Sequence, residues 1–159
     1  MRAGERTYQT LVQVAGRAGR ADKPGKAMIQ THQPEHEALQ ALAAGDRSRF
    51  IEAERTMRDL LGLPPFGKLA SIIVSGPDQS SAARFAKDIL SAAPRTDGIE
   101  ISGPTEAPIA RLRGRFRQRL LIQSESRVNL ALYMSAWRKR VKIPPKCQFR
   151  IDIDPQNFI

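Results

Sequence analysis

Apolar residues recur at helical spacing near the start of the chain. Leu11, Val12, Ala15 and Ala18 share one side of a helix that the spacing predicts over Arg6 to Arg20. Gly16 and Gly19 each cost about 1 kcal/mol against alanine in such a helix, so they call for a compensating reason. Lys23-Pro24-Gly25-Lys26 reads as a tight turn, followed by a short strand over Ala27 to Thr31. A Pro-start, Gly-stop pattern predicts a helix from Pro34 to Ala44 closed by Gly45. Asp46 or Ser48 can cap another running to Leu61, with an apolar stripe of Phe50, Ile51, Met57, Leu60 and Leu61.

Gly62-Leu63-Pro64-Pro65-Phe66-Gly67 cannot continue a helix, because consecutive prolines remove donors and force extended backbone. A domain boundary is placed there. Beyond it the periods alternate between two and 3.6: strand Leu69 to Ser75, helix Ser80 to Ala93, strand Ile99 to Ser102, strand Arg115 to Gln123, helix Val128 to Val141, strand Phe149 to Asp154. Ser80 or Ser81 is the expected cap of the first of these helices. Its buried face would be Ala82, Phe85, Ala86, Ile89 and Ala93, and that of the second Leu130, Tyr133, Met134, Trp137 and Val141. The order β-α-β-β-α-β predicts an α+β domain of ferredoxin-like arrangement, two helices on one side of a four-stranded sheet. Three segments are expected: 1–34, a helical connector over 35–66, and a basic α+β domain over 67–159.

Charge changes this picture of an ordinary small fold. Of 159 residues, 26 are Lys or Arg against 16 Asp or Glu, giving a net charge of +10. With a pI near 10.6, such a surface favours an anionic partner, nucleic acid before a membrane. No stretch approaches the roughly 20 apolar residues of a spanning helix, and the first residues hold no apolar signal core, so the cytoplasm is the expected compartment. The single Cys147 cannot form an internal disulfide and reads as a small buried residue. His32 and His36 have Pro34 between them and no common helical face, so no metal site is expected. Asp152 and Asp154 alternate with Ile151 and Ile153 and read as the outer face of a half-buried strand.

Two constellations carry candidate chemistry. On a helix, Gln13, Arg17 and Arg20 fall within about 60° of one another. Two guanidiniums and an amide on one face suit phosphate oxygens, with neighbouring glycines admitting close backbone. A solvated basic helix with glycines at a crossing explains the same spacing. The second constellation places arginine at every odd position from 111 to 119: Arg111, Arg113, Arg115, Arg117 and Arg119. Wherever this stretch is extended the arginines line one side, roughly 6.6 Å apart. Leu112, Phe116, Leu120 and Ile122 take the other side, unless Gly114 marks a hairpin tip that splits the row. Contact with DNA phosphates or an acidic peptide is the functional reading; protection of an exposed sheet edge is the structural one. Arg138-Lys139-Arg140 and Lys142 complement a helix C-terminus, and Trp137 belongs to the core.

Gln13-Val14-Ala15-Gly16-Arg17-Ala18-Gly19-Arg20 resembles the closing motif of the superfamily-two helicases. The lead-in Arg2 to Thr7, the Leu63-Pro64-Pro65-Phe66 connector, Gly103-Pro104 followed by Arg113 to Arg117, and Asp152 to Pro155 together resemble the PriA family of bacterial replication-restart DNA helicases, in the same order along nearly the whole chain. The resemblance implies a role for Arg20 as an arginine finger reaching the ATP γ-phosphate, with Arg17 and Gln13 assisting; such a finger is worth about 10³ to 10⁵ in rate in related hydrolases. It implies ATP and magnesium for the parent protein, zinc in a cysteine-rich insertion not found in these residues, 3′ to 5′ unwinding, and partnership with the machinery that loads the replicative helicase. It also implies that Arg115 binds the acidic tail of single-stranded-DNA-binding protein, with a second contact at Arg119, where relatives carry glutamine. No G-x-x-x-x-G-K-[ST] loop and no acidic metal-binding box occur in the chain, so these residues alone are expected to bind without turning over ATP. The rival readings are an RNA- or DNA-binding module of ribosomal-protein type and a pure protein-interaction domain.

Overall fold

The computed structural model describes residues 3–18 and 26–155, which divide into two compact units, 1–60 and 61–159. The first is helical: α1 (Ala3–Ala18), α2 (Glu37–Ala43) and α3 (Arg47–Leu60). Tyr8 of α1 stacks on Phe50 of α3 with ring centroids 4.0 Å apart, and Arg58 of α3 bridges Glu5 at 3.0 Å and Glu54 at 2.9 Å. A side chain at Gly4 would lie 2.7 Å from a Glu54 carboxylate oxygen, the movable end of that side chain. Asp46 caps α3 through the Arg49 N–H, as one of the two candidates.

Several expectations for this unit fail. Residues 27–31 form no strand, because a lone extended segment needs a partner ladder and no described neighbour offers one; Met28 is 98% exposed. The helix expected at Pro34 starts at Glu37, where the His36 side chain accepts the Ala38 N–H and caps it. Of the α3 stripe only Phe50 is buried, and Ile51, Met57, Leu60 and Leu61 remain exposed.

The second unit has the expected order of elements: β1 (Gly67–Gly76), α4 (Gln79–Ser91), β2 (Ile99–Leu112), β3 (Arg115–Glu125), α5 (Leu130–Arg140) and β4 (Gln148–Ile153). The strands form an antiparallel sheet in the order β2-β3-β1-β4. Its α+β class is as expected. Strict alternation sends Ala70, Ile72 and Val74 of β1 and Leu120 and Ile122 of β3 to one face. There they meet Phe85, Ala86 and Ile89 of α4 and Leu130, Tyr133, Met134 and Trp137 of α5 in one cluster that also takes in Cys147. Both helices therefore cover the same face. The Trp137 indole N–H donates to the Ile89 carbonyl at 2.8 Å and the Tyr133 hydroxyl to that of Pro94 at 3.0 Å, so neither aromatic buries an unpaired donor. Burial pushes the Tyr133 phenol pKa up.

Asp78, and neither Ser80 nor Ser81, caps α4. Its carboxylate accepts the Ser81 N–H at 2.8 Å and both serine hydroxyls, which donate to it. Asn129 caps α5 through the Leu132 N–H. The third expected strand is much longer than Ile99 to Ser102: β2 runs on past Pro104 and Pro108 to Leu112, with register shifts after Ser102 and after Glu106. An edge strand tolerates proline because one row of its N–H groups has no ladder partner. Asp154 lies beyond β4 with φ 52 and donates its N–H to the Leu69 carbonyl, so it does not share the outer strand face with Asp152.

Candidate nucleic-acid interface

The arginine row is divided by a turn. Leu112 pairs with Arg115 and Arg111 with Phe116, while Arg113 and Gly114 close the hairpin at φ 49 and 77. Two successive positive φ values are the mark of a type I′ hairpin turn, which matches the twist of the strands it joins. Cross-strand partners share a face, so Arg111 lies on the side of Phe116, its guanidinium 5.2 Å from that ring's centroid. Arg113 projects from the turn. Only Arg115, Arg117 and Arg119, on alternate residues of β3, share the face opposite the helices.

These three differ in surroundings. Arg115 is half-buried: its guanidinium donates to the Ser75 carbonyl at 3.2 Å and to that of Lys146, and its Nε is buried without a partner. It ties the start of β3 across the end of β1 to the loop before β4. Arg117 donates to the Ile109 carbonyl at 3.4 Å. Arg119 stands beside Ile73 in the register, with Thr105 on its other side.

Strand β4 adds a cation that periodicity offered and the sequence reading passed over. Arg150 pairs with Ile73 from the other side, so Arg119 and Arg150 flank that half-buried isoleucine on the open face of the sheet. Arg117 and Gln148 flank Ser75 in the next row. Carrying the Phe149, Ile151 alternation through the exposed residues of β4 would have found Arg150, since a core-facing odd series leaves the even series outside. No Asp or Glu occurs between Ala107 and Ile122, so along β3 the positive charge has no acidic residue beside it in sequence.

Elsewhere, Gln13 and Arg17 are exposed one helical turn apart near the end of α1, and Arg20 lies outside the described residues. Arg138 sits 5.2 Å over the Phe149 ring, while Lys139 and Arg140 in the last turn of α5 and Lys142 just beyond it are exposed. The cleft of about 520 Å³ beside Gly67, Glu100, Gln123 and Arg127 lies at the far end of β3 from the turn and includes none of the arginine row. Among the described residues, no helix is long and apolar enough to cross a membrane.

The second unit is thus a small α+β domain with one helix-covered face and one basic face. A family model described as the primosomal protein N C-terminal domain matches residues 59–156. The chain is 40% identical over 158 residues to the replication restart protein PriA of Rickettsia typhi, covering 99% of this chain and 24% of that protein. It is 34% identical to the PriA of Haemophilus influenzae over 161 residues, 99% of this chain and 22% of that one, and 36% identical to that of Bacillus subtilis over 132 residues, 82% and 16%. The chain belongs to the PriA C-terminal domain family, and it spans about a quarter of the Rickettsia relative's length.

Proposed function

We propose that this chain is the C-terminal portion of an ATP-dependent 3′ to 5′ DNA helicase of replication restart, acting in the cytoplasm, and that these residues hold DNA through the open face of the sheet. The observation that carries the reading is the grouping of Arg117, Arg119 and Arg150 on that face. Guanidinium forks fit phosphate oxygens, and such contacts position a protein on a nucleic-acid backbone without reading sequence. The sheet order β2-β3-β1-β4, with both helices on one face, supports a ferredoxin-like description of the domain. In the whole protein, Gln13 and Arg17 would donate to phosphate oxygens of ATP beside Arg20, for which their exposure and one-turn spacing fit.

A second reading has a specific observation behind it. Ile73, half-buried between Arg119 and Arg150, offers an apolar spot among cations, which suits a peptide bringing carboxylates and apolar side chains together, such as the acidic tail of single-stranded-DNA-binding protein.

Salt titration of single-stranded DNA binding decides between them. Phosphate tracking predicts that log affinity falls with log salt by about 0.7 per contact, and that Arg117→Ala lowers both affinity and slope. Absence of DNA binding at low salt, with tail-peptide binding retained, would leave only the second reading.

A further inference from the structure

Residues 111–115 extend past the last pairing of β3 with β1, Phe116 with Gly76, as a two-stranded ribbon. At its end Leu112 is 46% exposed, between the exposed Arg111 and Arg113, and Ile109 nearby is 39% exposed. Space around the turn is open, since a side chain at Gly114 would meet nothing within 4 Å. The ribbon is nevertheless braced from both faces. Arg111 stacks on Phe116, and Arg115, on the face of Leu112, is tied to the Ser75 and Lys146 carbonyls. A type I′ turn on braced strands presents its tip with little conformational freedom left to lose.

An apolar side chain at a rigid tip, with Arg111 on the opposite face of the ribbon and Arg113 at the turn, is poorly matched to a plain phosphate track, which would leave Leu112 in water. Its complement is a small apolar surface flanked by anions. The end of a nucleic-acid duplex is such a surface: the last base pair shows a bare stacking face, and the two strands carry phosphates on either side. Apolar residues do wedge against base steps in proteins that hold the neighbouring phosphates with arginine. We infer that the hairpin tip is a junction probe, with Leu112 packing on the terminal base pair where duplex DNA opens and Arg111 and Arg113 holding the strands that diverge there. An anionic bilayer shares the chemistry of anions around an apolar interior, but one leucine and a half-exposed isoleucine offer too little apolar area for stable insertion.

The inference rests on the DNA-binding reading above, and the experiment separates the two. This chain is titrated into forked DNA, blunt duplex and single-stranded DNA, with 2-aminopurine in the base pair next to the fork. Binding to the fork with a change in 2-aminopurine emission is expected. Leu112→Ala should lose about tenfold in fork affinity along with the emission change. Its single-strand affinity should be unchanged, which also shows the domain folded, and Leu112→Phe should keep both fork signals. Equal fork binding by wild type and Leu112→Ala would overturn the junction probe while leaving DNA binding intact, as would loss of fork and single-strand affinity in parallel. No DNA binding by the wild type would overturn both. Leu112-dependent sedimentation with vesicles of anionic lipid, without a fork preference, would assign the tip to a membrane instead.

Discussion

The two units use the same kind of amphipathic helix and reach opposite results. In the first, Ala41 and Phe50 are the buried apolar residues among those described, and Val12, Val14, Ile51, Met57 and Leu60 stay exposed. In the second, α4 and α5 close on a sheet whose inner face is Ala70, Ile72, Val74, Leu120 and Ile122, all at most 1% exposed. A 3.6-residue period tells which side of a helix is apolar; whether that side is buried depends on the surface available to receive it. The sheet provides that surface for the second unit.

The largest effect that could break this contrast is at Trp137. Its removal empties the centre of the second core and takes the indole donor from the Ile89 carbonyl, which keeps the Ala92 N–H, so Trp137→Ala should destabilise that unit by about 3 to 5 kcal/mol. Met57→Ala, at a half-exposed site of the first unit, should stay within about 0.5 kcal/mol. Denaturant unfolding followed by hydrogen exchange separates the units; similar losses at the two sites would show that α3 is buried in solution and abolish the distinction.

Next in size is Gly67, where β1 leaves the proline connector. A side chain there would lie 2.1 Å from the Gly62 carbonyl oxygen and 2.9 Å from that of Ser124, both backbone atoms that cannot swing aside. Gly67→Ala should cost about 1 to 3 kcal/mol by overpacking. Gly16→Ala has open space and a helical backbone, so it should stabilise α1 by up to about 1 kcal/mol. Thermal melts of the two variants should move in opposite directions. A shared direction would mean that the close approach at Gly67 relaxes freely.

What the sequence made legible follows the same physics. Alternation and helical period located all six elements of the second unit, because each buries a face against the others. They failed on Ala27 to Thr31, whose strand-like composition meets no ladder. Pro104 and Pro108 concealed the second half of β2, since proline argues against a strand unless it is known to lie at an edge, and edge position is a property of the sheet. Aspartate at 78 prevailed over the serines as a cap because their hydroxyls are engaged as donors to it. Alternation on one face holds for Arg115, Arg117 and Arg119 alone; Arg113-Gly114 is not the Asn-Gly or Asp-Gly pair that announces a two-residue turn, so the sequence could not assign the faces of Arg111 and Arg115.

Arg150 sharpens the comparison on the functional side. It shares Ile73 with Arg119, whereas Arg17 stands on α1 in the other unit. Arg150→Ala should reduce the salt slope of single-stranded DNA binding by about 0.7, one phosphate contact, and Arg17→Ala should leave it unchanged in this chain. A slope lowered equally by both would extend the nucleic-acid contact beyond the sheet to α1.

The smallest expected effect tests the cap of α4 through its acid limb. The Ser81 N–H, and then the Ser80 and Ser81 hydroxyls, hold the Asp78 carboxyl down from 3.8 to about 2. The folded state therefore takes up this proton less readily than the unfolded chain, and the charge contributes stability in full above 3.8. That contribution declines as pH falls toward about 2 and is gone below it. Asp78→Asn keeps an acceptor for the Ser81 N–H but has nothing to protonate there. Urea midpoints of the two proteins should differ at neutral pH and converge between pH 3.8 and about 2, with the wild type losing the ground. Because the group is exposed, added salt should narrow the neutral-pH difference as well. A constant difference across the acid range would mean that the cap works through hydrogen bonding alone, with no dependence on the carboxylate's charge.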